Sequence, residues 1–145
     1  MTLFAALLRL GLGGILLYAG WAKVQDPTDF AIQITNYRLG DVWAPWAAVA
    51  LPPIELLTGA LLLLAPRRSP WLQAACLVAL GMFAVFLAAV ITVVLRGIDI
   101  SCGCFGGDSG PVSWITVARN TLLCTATAAL LWYARRGGDS SVTAP

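Results

Sequence analysis

The sequence predicts an all-α integral membrane protein: a bundle of four membrane-crossing helices with one short interfacial helix after the first. Three observations predict it. Of the 145 residues, 59% are apolar and only 11% are charged, where a soluble domain carries about 25% charged residues. Four apolar stretches, at about 3–24, 43–65, 71–95 and 114–134, are each long enough to cross a hydrocarbon core of about 30 Å at about 1.5 Å per residue. All six tryptophans (Trp21, Trp43, Trp46, Trp71, Trp114 and Trp132) fall near the ends of these stretches, where an aromatic belt is expected. The mean hydropathy of +0.84 agrees. The bilayer offers the backbone no water, so each stretch should be helical. Residues 1–136 form one domain, and 137–145 read as a flexible polar tail.

The same composition excludes whole classes of function. A net charge of +2 without a basic run offers no surface that tracks phosphates, so no nucleic-acid partner is expected. There is no histidine, which removes His-based catalysis and His-ligated metals.

The first stretch has small residues at Gly20 and Ala22, spaced as at a signal-peptide cleavage site. No charged segment precedes it, however, and Arg9 lies within it, so a retained helix is expected. Asp26-Pro27-Thr28-Asp29 reads as a helix start, with Asp26 as N-cap and Pro27 at the first helical position. Phe30, Ile34 and Tyr37 then share one face, as in a short helix lying in the membrane interface. Pro52-Pro53 frees backbone groups within the second crossing and should kink it. Residues 66–70 read as a tight turn into the third crossing. The segment 96–113 is longer, glycine-rich and carries two cysteines, and residues 111–114 should open the fourth crossing.

Four crossings put both termini on the side of Arg67-Arg68. That side also holds Arg135 and Arg136, with Arg9 just inside the membrane. The other side holds Lys23, Arg38 and Arg96 among Asp26, Asp29, Asp41, Asp99 and Asp108. The positive-inside rule therefore favours cytoplasmic termini in a cell inner or plasma membrane, with the cysteine loop extracytoplasmic. That side is oxidising and suits disulfide chemistry.

Cys102-Gly103-Cys104-Phe105-Gly106-Gly107 is the most informative segment. Two cysteines one residue apart would close a strained ring, and strained disulfides tend to be labile or catalytic. A structural staple would restrict almost no chain entropy across so short a span. The N-terminal dipole of the fourth crossing would lower a thiol pKa if the loop folds back on it. Zinc needs four ligands, and only the two cysteines with Asp99 or Asp108 are local. Copper(I) tolerates two thiolates and stays open, but no metal-ligand set is assigned. Cys76 and Cys124 lie within crossings, where buried cysteine behaves as a small apolar residue; a thiol relay reaching Cys124 is the sharper alternative.

Arg9, Glu55 and Arg119 lie in the hydrocarbon region, where a charge is costly and faces the bundle interior with a partner. Glu55 falls near the midplane, with Arg119 reaching toward it from the outer side and Arg9 from the inner side. Two readings stay open: a salt bridge that locks the bundle, and a polar pocket for a quinone head group or a proton path. Lys23 is expected to snorkel at the outer edge, and Asn120 to hydrogen-bond across helices. Small residues at Gly11, Gly13 and Gly14 leave a homo-oligomer possible, without a clean Gly-x-x-x-Gly spacing.

Gly20-x-x-Lys23, Asp26-Pro27, Phe30 and Tyr37, with Pro52 and Glu55, resemble the DoxX-like four-helix membrane proteins. Cys102-Gly103-Cys104-Phe105-Gly106, Ser113-Trp114 and Arg119-Asn120 resemble the methylamine-utilisation MauE branch of that superfamily. The resemblance runs over roughly residues 5 to 133. It implies a DoxX-type bundle and thiol redox work at the outer face, in maturation of a disulfide-rich exported subunit beside a thioredoxin-like partner. In outline the chain is also similar to the DsbB and vitamin K epoxide reductase proteins, which use Cys-x-x-Cys pairs and a quinone. This chain has no second outward pair.

The expected function is therefore a membrane thiol–disulfide redox protein. Cys102 and Cys104 are its catalytic candidates, and Glu55, Arg119, Asn120, Arg9 and Lys23 are candidates for a quinone pocket. A non-catalytic assembly factor, a copper(I)-binding protein and a small-solute transporter are the alternatives.

Overall fold

A computed structural model describes residues 2–38, 42–67, 69–98 and 112–136. They form five helices: α1 (Thr2–Gln25), α2 (Pro27–Asn36), α3 (Ala44–Leu64), α4 (Pro70–Leu95) and α5 (Trp114–Arg136). All but α2 are long and apolar enough to cross a membrane. Their boundaries match the four predicted crossings to within two residues, and α2 is the predicted short helix. Cys102, Cys104 and the 137–145 tail lie outside the described residues.

Local chemistry sets the helix starts. Asp26 caps α2, its side chain accepting from the Asp29 N–H at 2.9 Å, with Pro27 in the first turn. Ser69 caps α4 by accepting from the Leu72 N–H at 3.2 Å, with Pro70 following. Both prolines occupy positions where a missing N–H costs nothing. α3 runs through Pro52 and Pro53 as one helix.

α1 packs chiefly on α3, and α4 on α5; α3–α4 and α1–α5 contacts close the ring, and α2 lies against α3. The α1–α3 seam is close because glycines line it. A Cβ on Gly59 would stand 3.0 Å from the Gly13 carbonyl oxygen, and one on Gly20 would stand 3.1 Å from that of Pro52. These pairs fix an antiparallel register that sets Gly20 level with Pro52 and Glu55.

The interior divides into two apolar clusters. The larger lies toward the end where α1 begins and α5 ends, and includes Leu12, Leu16, Leu62, Leu72, Cys76 and Leu130. The smaller lies at the opposite end, where Tyr37, Val90 and Val93 pack with Phe86, Ile98, Val112 and Val117. All six tryptophans are exposed on the outside of the bundle, as an aromatic belt requires. Among them, Trp132 carries the Arg136 guanidinium over its ring at 3.8 Å.

Candidate functional site

Between the two clusters lies a cavity of about 510 Å³, walled by all five helices. Ile15, Leu16 and Ala19 of α1 and Met82, Phe83 and Phe86 of α4 make its apolar surface, and Phe30, Ile34 and Tyr37 close it from α2 and its C-cap. Its polar side chains are Lys23, Gln33, Glu55, Arg119 and Asn120.

The central polar contact joins α1 to α3. The Lys23 ammonium donates to Glu55 Oε1 at 2.5 Å, with both side chains buried. Gly20 permits it: without a Cβ, α1 approaches Pro52 closely and brings Lys23, one turn further on, over Glu55. The Lys23 ammonium also stands 5.1 Å from the Phe30 ring centroid, a cation–π contact. Gln33 is held through its amide nitrogen, which donates to Asp29 Oδ2 one turn earlier. Two acceptors in the wall have no hydrogen-bond donor among the described residues, Glu55 Oε2 and Gln33 Oε1.

Tyr37 is buried at the end of the cavity nearer the smaller cluster, in tilted ring contact with Phe86 at 6.1 Å. Burial pushes its phenol up to about 12, against a smaller opposing pull from the Arg119 charge. Arg119 is half-buried in the same wall.

Three expectations are corrected. Lys23 does not snorkel outward; it is 7% exposed and turns inward to Glu55. Arg9 does not approach Glu55. Its guanidinium donates through Nε to the Leu62 carbonyl at 2.7 Å, and through Nη2 to those of Leu63 at 3.1 Å and Ala65 at 2.5 Å. Pro66 follows α3 and has no N–H to offer Leu62, so Arg9 supplies the missing donor. Among the described residues Asn120 does not bond across helices; its amide donates to Thr116 O on its own helix at 2.8 Å.

Four of the five predicted pocket residues therefore meet at one cavity: Glu55, Lys23, Arg119 and Asn120. Arg9 sits at the far end of α3 instead. Gln33 is a pocket residue that the sequence pattern did not single out. Its signal was its spacing, three residues after Phe30 and four before Tyr37, on the inward face of α2. Cys76 and Cys124 are free thiols of the larger cluster. Cys102 and Cys104 lie outside the described residues, which resume on either side of them at Ile98 and Val112. Ile98 and Val112 pack on the cluster of Tyr37, Val90 and Val93, directly beside the cavity.

The sequence model of a family described as methylamine utilisation protein MauE matches residues 1–133. A methylamine utilization protein MauE from Paracoccus denitrificans is 35% identical over 126 residues, covering 85% of this chain. The chain spans 64% of the length of that relative. No solved structure matches. With the family's match extending from the first helix through the last, across every wall of the cavity, this multi-pass membrane chain belongs to the MauE family.

Proposed function

We propose that this protein is a membrane thiol–disulfide redox protein, serving methylamine utilisation by maturing an exported client. Cys102 and Cys104 are the reacting pair. The observation that carries the proposal is the packing of Ile98 and Val112, which flank the cysteine segment, on the cluster of Tyr37, Val90 and Val93 beside the cavity. Cys102 lies four positions on from Ile98 in the sequence, and four residues of chain reach at most about 14 Å. Chain length from Ile98 thus supports a reacting pair within reach of the cavity end. The family membership and the P. denitrificans relative's name support the pathway.

The chemistry is thiol–disulfide exchange. One cysteine thiolate attacks a sulfur of a thioredoxin-like partner's disulfide, forming a mixed disulfide as the other partner sulfur leaves and takes a proton. The second cysteine attacks its neighbour's sulfur, releasing the partner as a dithiol and leaving a Cys102–Cys104 disulfide. Run in reverse, the pair oxidises its partner. On the membrane side a quinone is the second carrier: two electrons and two protons from the dithiol give the disulfide and a quinol. Arg67, Arg135 and Arg136 at the opposite end of the bundle support cytoplasmic termini in the plasma membrane and an extracytoplasmic cysteine pair.

The test is the redox state of Cys102 and Cys104 in native membranes, trapped with an alkylating mass tag and titrated against a glutathione buffer. A reversible pair above the range of structural disulfides, which lie below about −300 mV, is expected, and its replacement by serines should change client disulfide status. A pair that never forms a disulfide, or never opens, would overturn the proposal, as would unchanged clients in the double serine variant.

A further inference from the structure

The cavity between the two apolar clusters opens sideways. Trp43 and Val85 line it and are 72% and 73% exposed on the outside of the bundle. Trp43 caps α3 and Val85 lies on α4, so the opening between these helices faces the bilayer and a lipid-soluble molecule can enter from it. Besides Trp43, four aromatic rings stand at the wall, those of Phe30, Tyr37, Phe83 and Phe86. A cavity of this volume and apolar lining suits a small planar ring with a few polar groups to orient it.

The polar groups specify which ring. Glu55 and Gln33 are 8% and 7% exposed, and each has one oxygen without a donor among the described residues. Paired with the Lys23 ammonium, Glu55 is a carboxylate, so both oxygens are acceptors only, and a buried acceptor without a donor is destabilising. A ligand that donates hydrogen bonds relieves both. A second cation is disfavoured, because the Lys23 ammonium already sits on Glu55 Oε1 and like charges repel strongly in so apolar a site. Neutral hydroxyls meet no such cost. A quinone carries carbonyl oxygens alone; Lys23, Arg119 and Asn120 in the wall can donate to them, but both acceptors stay unmatched.

We infer that the cavity binds a membrane-soluble hydroquinone in preference to the corresponding quinone. Its hydroxyls donate to Glu55 Oε2 and Gln33 Oε1, its ring lies among the aromatic side chains, and its tail leaves between α3 and α4 past Trp43 and Val85. This deepens the redox proposal by naming the form of the carrier the site holds. It rests on that proposal for the carrier's role only, since binding requires neither cysteine.

The experiment uses the full chain with Cys102→Ser and Cys104→Ser, in lipid nanodiscs without oxygen, titrated with decylubiquinol and with decylubiquinone. Binding is read by calorimetry. The quinol should bind at least about tenfold more tightly, the ratio expected when two buried acceptors are each satisfied in only one redox form. Gln33→Leu should weaken quinol binding about fivefold and leave quinone binding unchanged. Gly81 lines the cavity, and a Cβ there meets nothing within 4 Å. The ring of Gly81→Phe should therefore reach into the cavity and abolish binding of both, and an unchanged unfolding midpoint of that variant checks that the fold is kept. Quinone binding as tight as quinol binding would overturn the inference, as would quinol binding indifferent to both substitutions, which marks partition into lipid. Because the cysteines are absent throughout, either failure leaves the redox proposal to its own alkylation test.

Discussion

Lys23 Nζ and Glu55 Oε1 stand 2.5 Å apart at the α1–α3 seam, both buried. The net stability of such a pair is small, but the loss of either partner alone is costly. Glu55→Leu strands an ammonium, and Lys23→Met strands a carboxylate, in surroundings that solvate neither. Each single change should cost about 3–5 kcal/mol, while the double change should fall close to the parent. A double-mutant cycle, read as thermal or denaturant stability in detergent, checks this. Additive losses would mean that the two side chains do not depend on each other.

Arg9 holds the end of α3. Its fork satisfies Leu62 O, Leu63 O and Ala65 O at the point where Pro66 withdraws the next N–H. Hydrogen bonds from a charged donor contribute about 1.5–3 kcal/mol each and do not simply add. Arg9→Met should therefore lower stability by about 3 kcal/mol, with Arg9→Lys recovering only part, because an ammonium lacks the planar fork. Equal stability of the lysine and arginine proteins would contradict the geometry.

Depth and rotation decide how much of this was legible in the sequence. The four crossings, the Asp26 cap and the inward face of Phe30 and Tyr37 each depend on local pattern, and local pattern is written in the chain. The partner of Glu55 depends on how α1 and α3 are rotated and slid against each other. Three cations, Arg9, Lys23 and Arg119, lie at different depths, and depth alone assigned the first and third to Glu55 and sent Lys23 to the surface. The deciding feature was Gly20, whose missing Cβ lets α1 close on Pro52. A lysine stem is also long enough to reach inward as easily as outward. Gln33 does not stand out in the sequence because a polar residue on an interfacial helix ordinarily belongs to its wet side, yet it lies between two buried aromatics. The placement of Glu55, Lys23, Arg119 and Asn120 around one cavity needed the helix register, which only the fold supplies.

That register makes the glycines unequal. Gly59→Ala sets a Cβ 3.0 Å from the Gly13 carbonyl oxygen and 3.1 Å from the Leu17 backbone nitrogen. Neither backbone atom can step aside without parting α1 from α3. A loss of about 1–3 kcal/mol is expected. A Cβ at Gly11 or Gly14 meets nothing within 4 Å, so alanine there should be neutral or stabilising by up to about 1 kcal/mol through helix propensity. Unfolding midpoints of the three single variants, compared in one detergent, separate close packing from propensity.

Tyr37 offers a prediction against pH. Its phenol is pushed up to about 12 by burial beside Phe86, whereas in the unfolded chain it ionises near about 10. The folded state therefore keeps its proton where the unfolded state has lost it. The stability Tyr37 contributes is complete below about pH 10 and falls away as pH rises from about 10 to about 12. Tyr37→Phe removes the ionisable group while keeping the ring, so the variant should lose less stability than the parent across that window. Near-ultraviolet titration should show one late phenolate in the parent that is missing from the variant. If the late component stays in Tyr37→Phe, or if both proteins lose stability alike above about pH 10, the buried Tyr37 phenol is not the group responsible.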